Sequence, residues 1–196
     1  LLQNLISKVE NIIIGGGMAN TFLLASGKKV GISLCEPTLT HIAKDIIEKA
    51  EILGCKIHLP NDVVTSKTLN GVNKIRSSDV NSCPPDEMIF DCGDKSVEKY
   101  LNVINLSKTI VWNGPLGVFE KEPFHLGTER LAKFIAKKTI DGLLNSVAGG
   151  GDTVAALNKY QLSHEMSYVS TAGGAFLEWL EGKNLPGLEV LEKKLN

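Results

Sequence analysis

Short β-branched or apolar runs alternate along the chain with longer stretches in which apolar residues recur every three or four positions. Ile12-Ile13-Ile14 reads as a strand closed by Gly15-Gly16-Gly17, and Met18 to Ala25 as the short helix that follows. From Glu36 to Leu53, residues Leu39, Ile42, Ala43, Ile46, Ile47, Ala50 and Leu53 fall on one helical stripe. Pro37 suits its first turn and Gly54 its end. Lys56 to Leu59 predicts a strand stopped by Pro60, and Met88-Ile89-Phe90 another stopped by Asp91-Cys92-Gly93. Ser96 is placed to cap a helix carrying Val97, Tyr100, Leu101 and Ile104 on one face. Thr109 to Trp112 is the next strand, running into Asn113-Gly114-Pro115-Leu116-Gly117. A helix near Gly127 to Lys137 follows, then a strand at Ser146 to Ala148 closed by Gly149-Gly150-Gly151-Asp152-Thr153. A helix from Val154 to about Tyr160, a strand at Tyr168 to Ser170, the turn Thr171-Ala172-Gly173-Gly174 and a helix from Ala175 to Leu180 complete the series. Val63 to Pro85 shows no regular period, and Leu185-Pro186-Gly187 marks a turn in the tail.

Near-continuously apolar strands separated by helices predict a parallel sheet, because parallel strands need crossover connections and those lay helices over the sheet. The expected architecture is a three-layer doubly wound (Rossmann-like) α/β domain with a mainly parallel sheet of about six strands. At 196 residues, one large domain over residues 1–182 with a tail at 183–196 is favoured over two small ones.

Charge and cysteine content narrow the partners. The 21 basic and 22 acidic residues leave a net charge of -1, with both signs scattered, which argues against nucleic acid or a membrane surface as a bulk electrostatic partner. The apolar runs are too short to span a bilayer, and no secretory leader pattern opens the sequence. Cys35, Cys55, Cys83 and Cys92 have no C-x-x-C spacing, so they read as reduced thiols of a cytoplasmic protein. His41, His58, His125 and His164 have no metal-ligand spacing among them.

The unusual chemistry sits where strands end. In doubly wound sheets ligands bind beyond the carboxyl ends of the strands. Glycine there lets backbone approach an anion closely, while the helix that starts next aims unpaired N–H groups at it. One glycine cluster is a tight turn; three, each between a strand and a helix, suggest a polyphosphate cradle. No G-x-x-x-x-G-K-[ST] occurs, so this is not a P-loop of the usual kind. G-x-G-x-x-G also fails, with Asn20 at the sixth place after Gly15 and Val154 at the sixth after Gly149. A nicotinamide-dependent oxidoreductase therefore rests on architecture alone. Asp152 by itself suits a helix N-cap, but beside Gly149, Gly150 and Gly151 it better suits a magnesium ligand. Glu120 by itself reads as a solvated surface carboxylate.

Five segments resemble signatures of the phosphoglycerate kinases, and in that family's order. They are Ile13 to Phe22, Val111 to Glu120, Gly149 to Thr153, Ser170 to Glu178 and Leu180 to Gly187, so the match runs from about Leu1 to Gly187. The resemblance implies the carboxy-terminal, nucleotide-binding half of such an enzyme. It implies reversible phosphoryl transfer from 1,3-bisphosphoglycerate to Mg-ADP, giving 3-phosphoglycerate and Mg-ATP. By that resemblance Gly15, Gly16, Gly17, Pro115 and Val118 form the adenosine pocket and Glu120 binds the ribose hydroxyls. Asn113 and Gly114 lie near the phosphates. Gly150, Gly151 and Thr153 hold those phosphates, and Asp152 holds Mg²⁺. Gly173 and Gly174, with Gly151, offer helix amides to the transferring group, which makes them the catalytic candidates. The family's lysine segment and its amino-terminal half, with the phosphoglycerate site and a catalytic arginine, would precede Leu1. The implied full-length form is a monomer, and the chain alone is expected to bind nucleotide with little or no turnover.

Overall fold

Two kinds of sheet organise the computed structural model, which describes residues 1–70, 75–172, 175, 178 and 181–183. After a single turn of helix, α1 (Leu2–Leu5), the isoleucine run forms β1 (Asn11–Ile13), and Gly15 is the extended N-cap of α2 (Gly16–Ala25). Pro37–Leu39 makes a 3₁₀ turn into α3 (Thr40–Ile52), whose stripe buries Ala43, Ile46 and Ala50. Gly54, at φ +76°, then ends it as a glycine with no Cβ to strain the left-handed turn, and the Cys55 amide closes back on the Ala50 carbonyl. The chain returns as β2 (Lys56–His58), parallel to β1.

The stretch without regular period contains two strands, β3 (Asp62–Ser66) and β4 (Arg76–Asp79). Both pair antiparallel, in the order β4-β3-β5, with β5 (Met88–Cys92) on the far side. Their polar content hides them from a hydrophobic pattern. In β3 even Asp62, Thr65 and Ser66 are buried, each with a hydrogen-bond partner. Thr65 donates to the buried Glu87 carboxylate at 2.6 Å, and Arg76 reaches the same carboxylate at 3.2 Å.

Next come α4 (Asp94–Leu106) and β6 (Thr109–Asn113), then α5 (Leu126–Ile140), β7 (Asn145–Gly149), α6 (Gly151–Lys159) and β8 (Tyr168–Val169). β6, β7 and β8 form a parallel sheet in that order. The α/β character with parallel strands is as expected, but the strand arrangement differs. Among the described residues the parallel strands number five, split between β1-β2 and β6-β7-β8, and β5 joins the antiparallel sheet. A short apolar run specifies extended backbone without specifying its partner, which is why β5 misled.

Ser96 is also not the cap expected of it. The N-cap of α4 is Gly93, and Ser96 lies inside the helix, fully buried. The cap comes from elsewhere: the Asp62 carboxylate accepts from the Ser96 amide at 2.8 Å and the Lys95 amide at 3.1 Å. The Ser96 hydroxyl in turn donates to that carboxylate at 2.6 Å. A Cβ on Gly93 would overlap Asp62, so the glycine is needed for this approach.

Two principal clusters make the core. Tyr100, Ile104, Trp112, Leu131, Ile135, Ala148 and Leu157 pack α4, α5 and α6 around β6 and β7, while Ile14, Phe22, Ala43, Ile46 and Ala50 pack α2 and α3 around β1. All four cysteines are free thiols, and Cys55, Cys83 and Cys92 are buried. No helix among the described residues is long and apolar enough to cross a membrane. Residues 184–196, most of the tail, lie outside the described residues.

Candidate functional site

Because β6, β7 and β8 are parallel, with Asn113 opposite Gly149 and Ala148 opposite Val169, their carboxyl ends open on one side. Two turns interlock there. Gly114 (φ +92°) donates its N–H to Thr153 Oγ1 at 2.6 Å, and Trp112 Nε1 donates to the Gly114 carbonyl at 2.7 Å. Gly150 (φ +91°) comes so near Asn113 that a Cβ would overlap Asn113 Oδ1. Asn113, Gly114, Gly150 and Thr153 are thus brought together.

α6 begins in this junction. Its first residues are Gly151, Asp152 and Thr153, whose amides have no intrahelical partner. Its N-cap is Gly150, without any side-chain cap bond, so Asp152 does not act as the cap. The Asp152 side chain is exposed and makes no hydrogen bond or ion pair among the described residues. Thr153 is 0% exposed and its hydroxyl accepts the Gly114 N–H, so its side chain belongs to the junction between the two turns.

The turn before α2 reaches the same loop from the other side. Gly16 (φ +60°) donates its amide to the Leu116 carbonyl at 2.9 Å. A Cβ on Gly15 would stand 2.7 Å from Leu116 Cδ2, closer than packing tolerates. Gly17 has Leu34 at contact distance, 3.5 Å from where its Cβ would be. Leu34 is 80% exposed and Met18 is also exposed, so apolar side chains flank the glycine turn on the surface. Neither was among the candidates from sequence, because exposure of a lone leucine leaves no periodic signal.

The loop from Gly114 to Glu120 therefore joins all three glycine clusters. Leu116 and Phe119 anchor it in the core, Pro115 and Val118 are half-buried, and Glu120 is exposed. Its backbone is fixed by Val118 N–H to the Phe90 carbonyl at 2.8 Å, by Leu116 N–H to Thr128 Oγ1 at 3.0 Å, and by Lys159 Nζ to the Phe119 carbonyl at 2.7 Å. Beneath it lies Asp91, 3% exposed. Burial pushes its carboxyl up to about 7, only partly offset by the amides of Gly127 and Cys92 that it accepts.

The fourth turn leaves β8. Ser170 N–H continues the ladder to the Ala148 carbonyl at 2.7 Å, and Thr171 and Ala172 are exposed beyond it. Gly173 and Gly174 lie outside the described residues. The described residues contain no group of three or more His, Cys, Asp or Glu side chains that could hold a metal. Asp152 is accordingly a lone carboxylate beside free helix amides, a donor set that suits a cation arriving with an oxygen-rich anion.

A family model described as phosphoglycerate kinase matches residues 1–183. The chain belongs to the phosphoglycerate kinase family. It is 57% identical over 192 residues to a phosphoglycerate kinase of Zymomonas mobilis, which covers 98% of this chain and 48% of that protein. The phosphoglycerate kinase structure from Coxiella burnetii superposes with a TM-score of 0.94 at 45% identity, covering 100% of this chain and 49% of that one. The Pyrococcus horikoshii structure gives 0.79 at 29% identity, over 97% of this chain and 47% of that one. The chain thus spans about half the length of the phosphoglycerate kinases it matches.

Proposed function

We propose that this chain is the nucleotide-binding, carboxy-terminal half of a phosphoglycerate kinase, the half that holds Mg-ADP or Mg-ATP during phosphoryl exchange with 1,3-bisphosphoglycerate. One observation carries the reading: the turns at Gly15–Gly17, Asn113–Gly117 and Gly149–Thr153 share contacts at the strands' carboxyl ends, with two helix N-termini and the unpaired Asp152 carboxylate beside them.

The residues divide the work along the nucleotide. Gly15, Gly16 and Gly17, lacking side chains and flanked by the exposed Leu34 and Met18, offer a flat apolar seat for a base, with Pro115 and Val118 on the loop opposite. Glu120, exposed and next to the anchored Phe119, is a hydroxyl acceptor for the ribose. The α6 amides of Gly151, Asp152 and Thr153, preceded by Gly150 and beside Asn113 and Gly114, take the phosphates at a helix N-terminus. Asp152 would hold magnesium, which when bound shares the polyphosphate charge. Transfer itself needs positioning and charge neutralisation more than covalent chemistry, and Gly151 with Gly173 and Gly174 would give amides to the transferring group. The described residues bring no lysine or arginine side chain into hydrogen-bond contact with these turns other than Lys159 on the Phe119 carbonyl. The chain alone is therefore expected to bind nucleotide and to turn over little.

A calorimetric titration with ADP tests the reading. Saturable binding in the presence of Mg²⁺ is expected, weakened strongly by Asp152→Ala with Mg²⁺ and little without it. Equal weakening under both conditions removes the metal role, and absence of wild-type binding removes the nucleotide role.

A further inference from the structure

The loop that would present Val118 and Glu120 has no regular structure of its own, so something must fix its position. Asp91 stands where three elements meet. It lies on β5, its Oδ1 accepts the Cys92 amide at 2.9 Å, and its Oδ2 accepts the Gly127 amide in the first turn of α5 at 2.8 Å. The same side chain abuts the loop: a Cβ added to Gly117 would overlap Asp91 Oδ1 and Cγ and lie 2.6 Å from the Phe90 carbonyl. Gly127 is equally tight, since a Cβ there would stand 2.5 Å from Asp91 Oδ1 and 2.9 Å from Cys92 Sγ. One step on, Val118 N–H is fixed to Phe90, the residue before Asp91. In the same first turn of α5, Thr128 Oγ1 accepts the Leu116 amide.

We propose that Asp91 is a positioning residue for the nucleoside end of the site, its buried carboxylate setting how far the Leu116–Glu120 segment stands from β5 and α5. The inference rests on the nucleotide reading above. Asp91 itself does not touch the ligand. It acts through Gly117, and only a side chain that accepts on both oxygens and is no larger than aspartate satisfies both amides in that space. Asparagine has the size but turns a donor toward one of the two N–H groups, leaving it unpartnered or displacing the loop. The phosphate end stands on other contacts, the Gly114–Thr153 and Gly150–Asn113 pairs, which do not involve Asp91.

This separation makes the test selective. Calorimetry at pH 8.5, where the Asp91 carboxyl is ionised, compares Mg-ADP with Mg-tripolyphosphate, which lacks a nucleoside, for wild type, Asp91→Asn, Gly117→Ala and the double variant. Asp91→Asn is expected to weaken ADP about tenfold, the scale of one hydrogen bond to a charged group, and tripolyphosphate less than about twofold. Gly117→Ala disturbs the same contact, so the double variant is expected to be no weaker than the worse single one. If Asp91→Asn does not fold, Gly117→Ala against both probes carries the comparison. ADP affinity within twofold of wild type in a folded variant, equal losses for both probes, or losses that multiply in the double variant each overturn the proposal. A wild type that fails to bind ADP overturns the underlying nucleotide reading instead.

Discussion

The hydroxyl of Thr153 accepts the Gly114 amide at 2.6 Å, tying the first turn of α6 to the turn that leaves β6. Both ends of this bond sit at a strand's carboxyl terminus, so it holds two of the glycine turns at one spacing. Replacing threonine by valine keeps shape and burial but removes the acceptor, leaving the Gly114 N–H unpaired. Thr153→Val is expected to lower unfolding free energy by about 1 kcal/mol, the scale of one hydrogen bond lost at a half-buried donor. Thr153→Ser, which keeps the oxygen, should lose less. Urea denaturation of the three proteins is the check, and equal stability of the valine and serine variants would contradict the assignment.

Gly150 and Gly142 separate backbone strain from contact. Both have positive φ, +91° and +70°, so alanine at either is strained. At Gly142 the added methyl meets nothing within 4 Å, while at Gly150 it overlaps Asn113 Oδ1. Gly142→Ala is expected to cost roughly 1–2 kcal/mol, the penalty for an alanine in the left-handed region. Gly150→Ala should exceed this and also weaken ADP binding, because Asn113 has to move and the start of α6 with it. Equal denaturation midpoints for the two variants would count against the interlock.

What could be seen in the sequence was local. The glycine clusters at residues 15–17, 113–117 and 149–153 follow β-branched or apolar runs and precede helical stripes, so their place at strand ends follows from neighbours along the chain. Their mutual contacts, Gly16 to Leu116 and Gly114 to Thr153, span 100 and 39 positions and leave no periodic trace. The same distance in sequence concealed the Asp62 cap of α4, which made Ser96 look like the cap because serine is a good one in general. β3 went unseen because three of its buried residues, Asp62, Thr65 and Ser66 beside the apolar Val63, are polar and find their partners elsewhere in the fold. Leu34 and Asp91 were missed for opposite reasons: one is an apolar residue on the surface, the other a charged-type residue inside.

Asp91 also makes a pH signature. Its folded-state carboxyl titrates at about 7, against 3.8 for an ordinary aspartate, chiefly because burial disfavours the charge. Asp94 nearby adds to the rise, while the Gly127 and Cys92 amides and the Cys92 thiol oppose it; burial pushes the Tyr160 phenol up to about 12, with Glu129 and then Asp91 adding to that rise. Between pH 4 and 7 the folded state holds a proton here that the unfolded chain has released. Stability therefore falls as pH rises, since the slope follows protons bound unfolded minus protons bound folded. The stabilisation is complete below about 3.8 and gone above about 7. A gap of about three pH units at ~1.4 kcal/mol each sets its scale, on the order of 4 kcal/mol. His58, whose burial lowers its pKa, destabilises the fold toward acid and works against this trend. Subtracting Asp91→Asn removes that contribution, because the histidine is common to both proteins. Urea unfolding from pH 5 to 8.5 should then show wild type losing stability relative to Asp91→Asn up to about pH 7 and running parallel to it beyond. A difference that stays flat from pH 5 to 8.5 would mean the carboxyl is ionised in the folded protein throughout and that its two amide bonds outweigh its burial.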